Sequence, residues 1–346
     1  MSRIKYIDAL RGLAIFMVVL VHIEGFSLHC EVFHISILRR VCESIMLPLF
    51  FFISGFCFKV RTISNLVESG LRLVIPAIIL GLVHAFLLNK DILSFCFNIY
   101  KYGYWFTITL FEMFVAIYFI NKLYRKQNSF VWILILVSCV LYLIKIPFNN
   151  VPVLVKVGDV LCLHQFFIYF HYFVVGYILA HNKTIMHKCL KSESAIMISI
   201  ILYIFAVIIK CAYTDEDLGV SVLLKIYRAI QDPLLGYTGL MIVVRFLYMS
   251  NNFISNNVFG RSLCFIGVHT LEIYLLHYFF LPNLSFIGLY LIDYPNLVLE
   301  LSICLPLTMI VIICSLILGC VIRVNEILSY FFIGDKSLFY RRRVNV

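Results

Sequence analysis

Apolar residues fill this chain in runs of about twenty, broken by short clusters of Lys, Arg, Asn and Asp. A helix needs a run of roughly that length to cross a hydrocarbon core of about 30 Å. Such runs recur near 7–28, 41–58, 73–88, 104–120, 130–148, 165–181, 194–213, 228–249, 262–281 and 297–322. No stretch shows the alternation of apolar and polar positions that closes into a membrane barrel. The pattern predicts an all-α, polytopic integral membrane bundle of about ten transmembrane helices, forming one domain over 1–346 that ends in a short basic tail, 323–346. There is no internal repeat and no polar stretch long enough for a separate soluble domain.

Composition sharpens this picture. Of 346 residues, 63% are hydrophobic and 13% charged, and the mean hydropathy is +1.01; soluble domains carry roughly a quarter charged residues. The net charge of +10 would suggest nucleic acid in a soluble protein, but here the basic residues sit in short loops. With ten spans, the side holding the N-terminus, the loops after spans 2, 4, 6 and 8, and the C-terminus has 18 Lys and Arg against 9 on the other, Arg11 left out. The positive-inside rule then makes both termini cytoplasmic. The first run is preceded by basic residues, as a secretory signal would be. It contains Arg11, extends to about Leu28 and lacks a small-residue cleavage site, so it reads as a retained span.

The twelve cysteines form neither a C-x-x-C nor a zinc-spaced cluster, so no metal is expected and packing is the favoured role. Cys30, Cys96, Cys162 and Cys211 fall toward one predicted face, which leaves a disulfide open there.

More polar groups lie in the spans than anchoring requires: Asp8, Arg11, His22, Glu24, Glu112, Lys145, His171, Lys210, Asp232 and Glu272. Each costs at least about 2.5 kcal/mol near the bilayer centre, so such groups face a partner or a cavity. For Asp8, Lys145 and Lys210 snorkelling to the interface is an equal reading, and for His171 an interhelical hydrogen bond is favoured over catalysis.

The first span is the most informative. Eleven helical residues turn the chain through about three full turns, so Arg11 and His22 share a face about 16 Å apart, and Asp8 lies one turn before Arg11. Arg11 then sits at the inner headgroups, with His22 beyond the midplane. A guanidinium binds phosphate or carboxylate by paired hydrogen bonds, and an imidazole is suited to take a proton from a hydroxyl. Their spacing is comparable with the reach of an extended phosphopantetheine arm. The structural alternative is that Arg11 snorkels and His22 bonds another helix.

Ile7-Asp-Ala-Leu-Arg11-Gly followed by His22 resembles the opening of the membrane-bound acyltransferase-3 family of bacterial carbohydrate O-acyltransferases. The resemblance continues in order: Pro48-Leu-Phe-Phe-Phe-Ile-Ser54-Gly55-Phe in span 2; Tyr104-Trp105-Phe106 with Glu112 in span 4; Phe173-Val-Val-Gly176-Tyr177 in span 6; and Gly267-x-x-Thr270-Leu-Glu272-Ile-Tyr274-Leu-Leu-His277 in span 9. One departure stands out. The family's Arg-x-x-Arg before the proline of span 3 is here Ser69-Gly-Leu-Arg72, ahead of Pro76, and either Arg61 or Lys59 could supply the missing charge.

The resemblance implies a ten-span enzyme of the bacterial inner membrane that moves an acyl group, usually acetyl, from cytosolic acyl-CoA to a hydroxyl of a surface carbohydrate or its lipid-linked precursor. It implies that Arg11 and Arg72 hold CoA phosphates and that His22 is the catalytic base. Beside it, Trp105 and Glu112 share a face in the outer half of span 4, and Thr270, Tyr274 and His277 form a stripe in span 9. Trp105, Tyr274 and His277 are therefore candidate sugar-binding residues, with Glu112 or Glu272 orienting the imidazole. Each of Trp105, Tyr274 and His277 also reads as an interface anchor, and Pro48 and Gly55 as kinking or packing residues. Ser54 and Gly55 lie too near the cytosolic side to serve an oxyanion and more readily shape a CoA channel. Expected partners are the bilayer, acyl-CoA, the carbohydrate acceptor and other glycan-assembly proteins, with no nucleic acid. The rival readings are a transporter or flippase of a carbohydrate or lipid-linked sugar, which predicts inverted halves and matching interrupted helices, and a glycan polymerase, which predicts a large Arg-rich outer loop. Neither feature is present in the sequence.

Overall fold

In the computed structural model the described residues are 4–29, 36–59, 62–124, 129–148, 150–212, 222–294 and 296–335. Every regular element among them is helical, as expected where a hydrocarbon solvent leaves backbone groups no partner but each other. In chain order these are α1 (Lys5–His22), α2 (Ile37–Phe56), α3 (Ile63–Leu87), α4 (Ile92–Phe97), α5 (Trp105–Tyr124), α6 (Phe130–Phe148), α7 (Pro152–Leu161), α8 (Leu163–His181), α9 (Lys183–Lys191), α10 (Glu193–Ala212), α11 (Val222–Met249), α12 (Asn251–Asn256), α13 (Val258–Val268), α14 (Thr270–Leu276), α15 (Ser285–Asp293), α16 (Leu297–Ile322) and α17 (Glu326–Ile333). A π turn, Ile23–Ser27, extends α1, and a 3-10 turn, His277–Phe280, ends α14.

Helices occupy all ten positions expected from the sequence. Six of them are long and apolar enough to cross a membrane: Lys5–Ser27, Ile63–Leu87, Trp105–Tyr124, Leu163–His181, Glu193–Cys211 and Leu297–Ile322. The others fall short for visible reasons. Arg39, Arg40 and Glu43 interrupt the start of α2, and Lys225, Arg228, Asp232 and Arg245 punctuate α11. The apolar part of α6 runs only from Phe130 to Lys145. The late span, expected as one helix over 262–281, is broken: α13 and the helix beginning at Thr270 are bent by 66°, which would make it a seventh span if counted as one. His269 leaves helical geometry, and the Thr270 hydroxyl donates to the Gly267 carbonyl at 2.7 Å, closing α13.

The chain divides into two compact units, 1–53 with 182–270 and 280–313, and 54–181 with 271–279 and 314–346. In the first, α1 is buried along most of its length against α13. The helices touch through backbone: a Cβ on Gly12 would overlap the Leu263 carbonyl, and one on Gly267 would overlap the Asp8 carbonyl. Lys210 pairs with Asp232 at 3.3 Å, and Arg245 pairs with Glu193 at 2.8 Å.

In the second unit α3 packs on α5 and α6 on α8. Gly55 lies so close to Phe173 that a Cβ there would meet the Phe173 carbonyl. Two of the segments resembling the family thus meet as close packing, the packing role weighed above for Gly55. Of the tail expected over 323–346, the described part is 323–335. It forms α17, whose side packs on α3, and Gly334, at φ 66°, presents its carbonyl to Arg72. Lys145 lies over the Tyr142 ring at 3.9 Å, and His171 is buried edge-on to the same ring at 5.0 Å. Among the described residues the cysteines are free thiols, including Cys96, Cys162 and Cys211; Cys30 lies outside the described residues.

The Gly267 contact allows a direct check. Gly267→Val places side-chain atoms where the Asp8 backbone stands and should cost about 2 kcal/mol or more, read as a thermal midpoint several degrees lower for the detergent-solubilised protein.

Candidate functional site

In the first unit α1 is a continuous α-helix from Lys5 to His22, so the 3.6-residue repeat places Arg11 and His22 on one face. Asp8 is 5% exposed and lies 3.6 Å from the half-buried Arg11 guanidinium. Asp8 is thus buried in an ion pair and does not snorkel. The pairing orients the Arg11 guanidinium, whose side chain is 34% exposed. His22 is the last α-helical residue, half-buried, with its ring edge-on to Phe26 at 5.4 Å.

In the second unit the candidate residues surround one turn. Lys101, Tyr102 and Gly103 all have positive φ, 47°, 49° and 103°. Glycine is required at the third position, because a Cβ there would overlap the Tyr278 phenol. The turn is fixed from α14: the Tyr274 hydroxyl donates to the Gly103 carbonyl at 2.7 Å and accepts from the Phe106 N–H at 3.2 Å. Tyr104 is fully buried and donates to the Leu275 carbonyl at 3.0 Å. His277 is fully buried as well, with Nδ1 2.8 Å from the Tyr274 carbonyl and 3.0 Å from that of Ile273. Carbonyls only accept, so that nitrogen carries a hydrogen.

Tyr274 therefore clamps the turn from which α5 starts, while His277 bonds back to carbonyls of its own helix; Trp105 is the first residue of α5. Trp105 is half-buried and stacks on Tyr169 of α8, ring centroids 6.0 Å apart at 23°. Glu112 lies two turns further along α5, and its Oε2 has no hydrogen-bond donor among the described residues. Gln165, 2% exposed and one turn before Tyr169, donates to the Ile99 carbonyl at 3.1 Å.

Lys101 is a group the sequence reading passed over. It is 3% exposed, and its Nζ donates to the carbonyls of Cys96 and Asp159. Burial pushes its pKa below the ordinary lysine value, opposed by the acidic groups around it, Asp159 and Glu112 among them. No sequence signal separated it from the other loop lysines counted for topology.

On the same short helix as Tyr274, Glu272 is 3% exposed and its Oε2 accepts from Arg323 Nη2 at 2.5 Å. Gly319 makes room, since a Cβ there would overlap the Glu272 carboxylate. Arg323 also lies 3.8 Å from Asp335. Arg72 is half-buried and donates from Nε to the Gly334 carbonyl at 2.7 Å. Ser69, where the family has an arginine, instead returns its hydroxyl to the Asn65 carbonyl at 2.8 Å. Arg61 lies outside the described residues. No group of three or more His, Cys, Asp or Glu suited to a metal ion occurs among the described residues.

Among protein families, the one described as Acyltransferase domain, acyltransferase-3, matches residues 4–322. No curated protein and no solved structure matches the chain. A match over nearly the whole length, with Arg11 and His22 on one face of its first helix, places this chain in the acyltransferase-3 family of membrane acyltransferases.

Proposed function

We propose that the protein is an O-acyltransferase of the bacterial inner membrane that takes an acyl group, most readily acetyl, from acyl-CoA in the cytosol and places it on a hydroxyl of a cell-surface polysaccharide or its lipid-linked precursor. The single observation that carries the reading is the continuous helix α1, with a guanidinium at its start and an imidazole at its end on one face, about 16 Å apart. Family membership supplies the reaction class. Ten spans with both termini cytoplasmic fit the loop charges and put Arg11 on the donor side and His22 toward the acceptor side.

On this reading Arg11 and Arg72 bind phosphates of the donor, and the thioester end lies near His22. His22 takes the proton of the acceptor hydroxyl as its oxygen attacks the thioester carbonyl; the tetrahedral intermediate then collapses, the C–S bond breaks, and the thiolate of CoA leaves and regains a proton from the imidazolium. Trp105, stacked on Tyr169, offers an aromatic surface to a sugar ring, and Glu112 an unmet acceptor for its hydroxyls. Tyr274 serves by fixing the turn that places Trp105, and His277 by bonding the carbonyls of Ile273 and Tyr274 on its own helix. Glu272 holds Arg323.

Two outcomes test this. Cell-surface glycan from cells expressing His22→Ala should lose the acetyl mass increment seen with the wild-type protein; full acetylation by that variant would remove His22 as the base. Arg11→Ala and Arg72→Ala should each raise the KM for acetyl-CoA roughly tenfold, as expected for loss of a charge-assisted contact of about 1.5–3 kcal/mol, measured in membrane vesicles with radiolabelled acetyl-CoA.

A further inference from the structure

The last helix, α17, has eight residues, too few to hold together alone in water, yet it is closed at both ends. Asn325 caps its start, the side-chain oxygen accepting from the N–H groups of Ile327 at 2.9 Å and Leu328 at 3.2 Å. At its end Gly334 turns left-handed, φ 66°, and returns its N–H to the Tyr330 carbonyl at 3.1 Å. That conformation favours glycine, and the contact there demands it: a Cβ on Gly334 would lie 2.3 Å from the backbone carbonyl oxygen of Arg72 in α3.

Two arginines of the second unit converge on neighbouring residues of this joint. Arg72 donates from Nε to the Gly334 carbonyl at 2.7 Å, and Arg323 Nε lies 3.8 Å from the carboxylate of Asp335. Asp335 is drawn back onto α17, its N–H donating to the Ser329 carbonyl at 3.3 Å and its Oδ2 accepting from the Ser329 hydroxyl at 3.3 Å. Arg323 is anchored in turn by the buried Glu272 at 2.5 Å. A chain of contacts thus runs from Glu272 through Arg323 and Asp335 to Gly334 and Arg72, joining α14, α17 and α3.

Which nitrogen of Arg72 is used has a chemical consequence. Nε carries one hydrogen, and its bond to Gly334 fixes the plane of the guanidinium. The two terminal nitrogens, with four hydrogens, make no bond among the described residues, and they form the edge able to grip a phosphate by paired bonds. Ser69, one turn earlier, has its hydroxyl on the Asn65 carbonyl and brings no charge. A single guanidinium stands where the family's pattern has two, and here its orientation is fixed from outside its own helix.

We propose that the C-terminal helix is a positioning element for the donor site: Gly334, held in place by Asp335 and Arg323, fixes Arg72 so that its terminal nitrogens meet a phosphate of acyl-CoA. The proposal rests on the reading of Arg72 as a donor-binding residue. It goes beyond that reading in assigning the orientation of Arg72 to a segment that lies after the residues matched to the family, 4–322.

Membrane vesicles supplied with radiolabelled acetyl-CoA provide the test, through the split between KM and kcat. Gly334→Val can keep neither the left-handed turn nor the approach to α3, and should raise the KM for acetyl-CoA about three- to tenfold with kcat per folded molecule within about twofold. A merely structural role would lower the amount of active protein and leave KM alone. In an Arg72→Ala background the same substitution should change KM by less than about twofold, because the group it positions is gone. Should Gly334→Val not fold, Asp335→Ala, at a half-buried residue, should raise KM at least about twofold. The proposal is overturned if folded Gly334→Val keeps the wild-type KM, if kcat alone falls, or if the KM effect persists in full without Arg72; where Gly334→Val does not fold, an unchanged KM in Asp335→Ala overturns it. A raised KM in Arg72→Ala beside an unchanged one in Gly334→Val sinks this proposal and leaves the donor reading standing, whereas an unchanged KM in Arg72→Ala removes the donor reading itself.

Discussion

The contact on which the first unit depends is backbone against backbone, where α1 and α13 meet at Gly12 and Gly267. Side chains can adjust to one another, but a carbonyl facing a missing Cβ cannot, so the rotation of α1 about its axis is fixed. Arg11 and His22 inherit that fixation because they share a rigid helix with the contact. Asp8 belongs to both arrangements: its backbone carbonyl meets Gly267 while its carboxylate pairs with Arg11. One turn of helix thus ties close packing to a charged group that hydrocarbon would otherwise make costly.

In the second unit the corresponding constraint is a turn with three consecutive left-handed residues, a conformation that persists only where its surroundings over-determine it. Tyr274, Tyr278 and the buried Lys101 do so from different sides. The consequence is local and chemical: α5 begins at a defined point, with Trp105 as its first residue. Tyr274 and Tyr278 of the late span are buried where they fix that start.

Much of this was legible beforehand. Apolar run length dictated helices, since nothing else satisfies backbone groups in lipid, and helical periodicity placed Asp8, Arg11 and His22 on one face without any tertiary information. Segment order along the chain was enough to indicate the family. Other features were hidden for physical reasons. The break at His269 carries no proline, and it follows from a hydroxyl cap beside a helix already jammed against its neighbour. Arg323 and Lys101 look like topology charges until Glu272 and two carbonyls are found around them. The tail looked featureless because an eight-residue helix has a pattern too short to register before α3 supplies its partner.

The sequence by itself determined that the chain is a helical membrane protein of this family, and that an arginine and a histidine lie on one stripe of its first helix, because both follow from composition and from a repeat of 3.6 residues. Only the tertiary structure decided which of the intramembrane polar groups pair with one another and which tyrosines hold the backbone, and that a π turn follows the histidine. Those outcomes depend on residues far apart in the chain, such as Glu272 with Arg323 and Gly103 with Tyr274, whose meeting no local periodicity encodes.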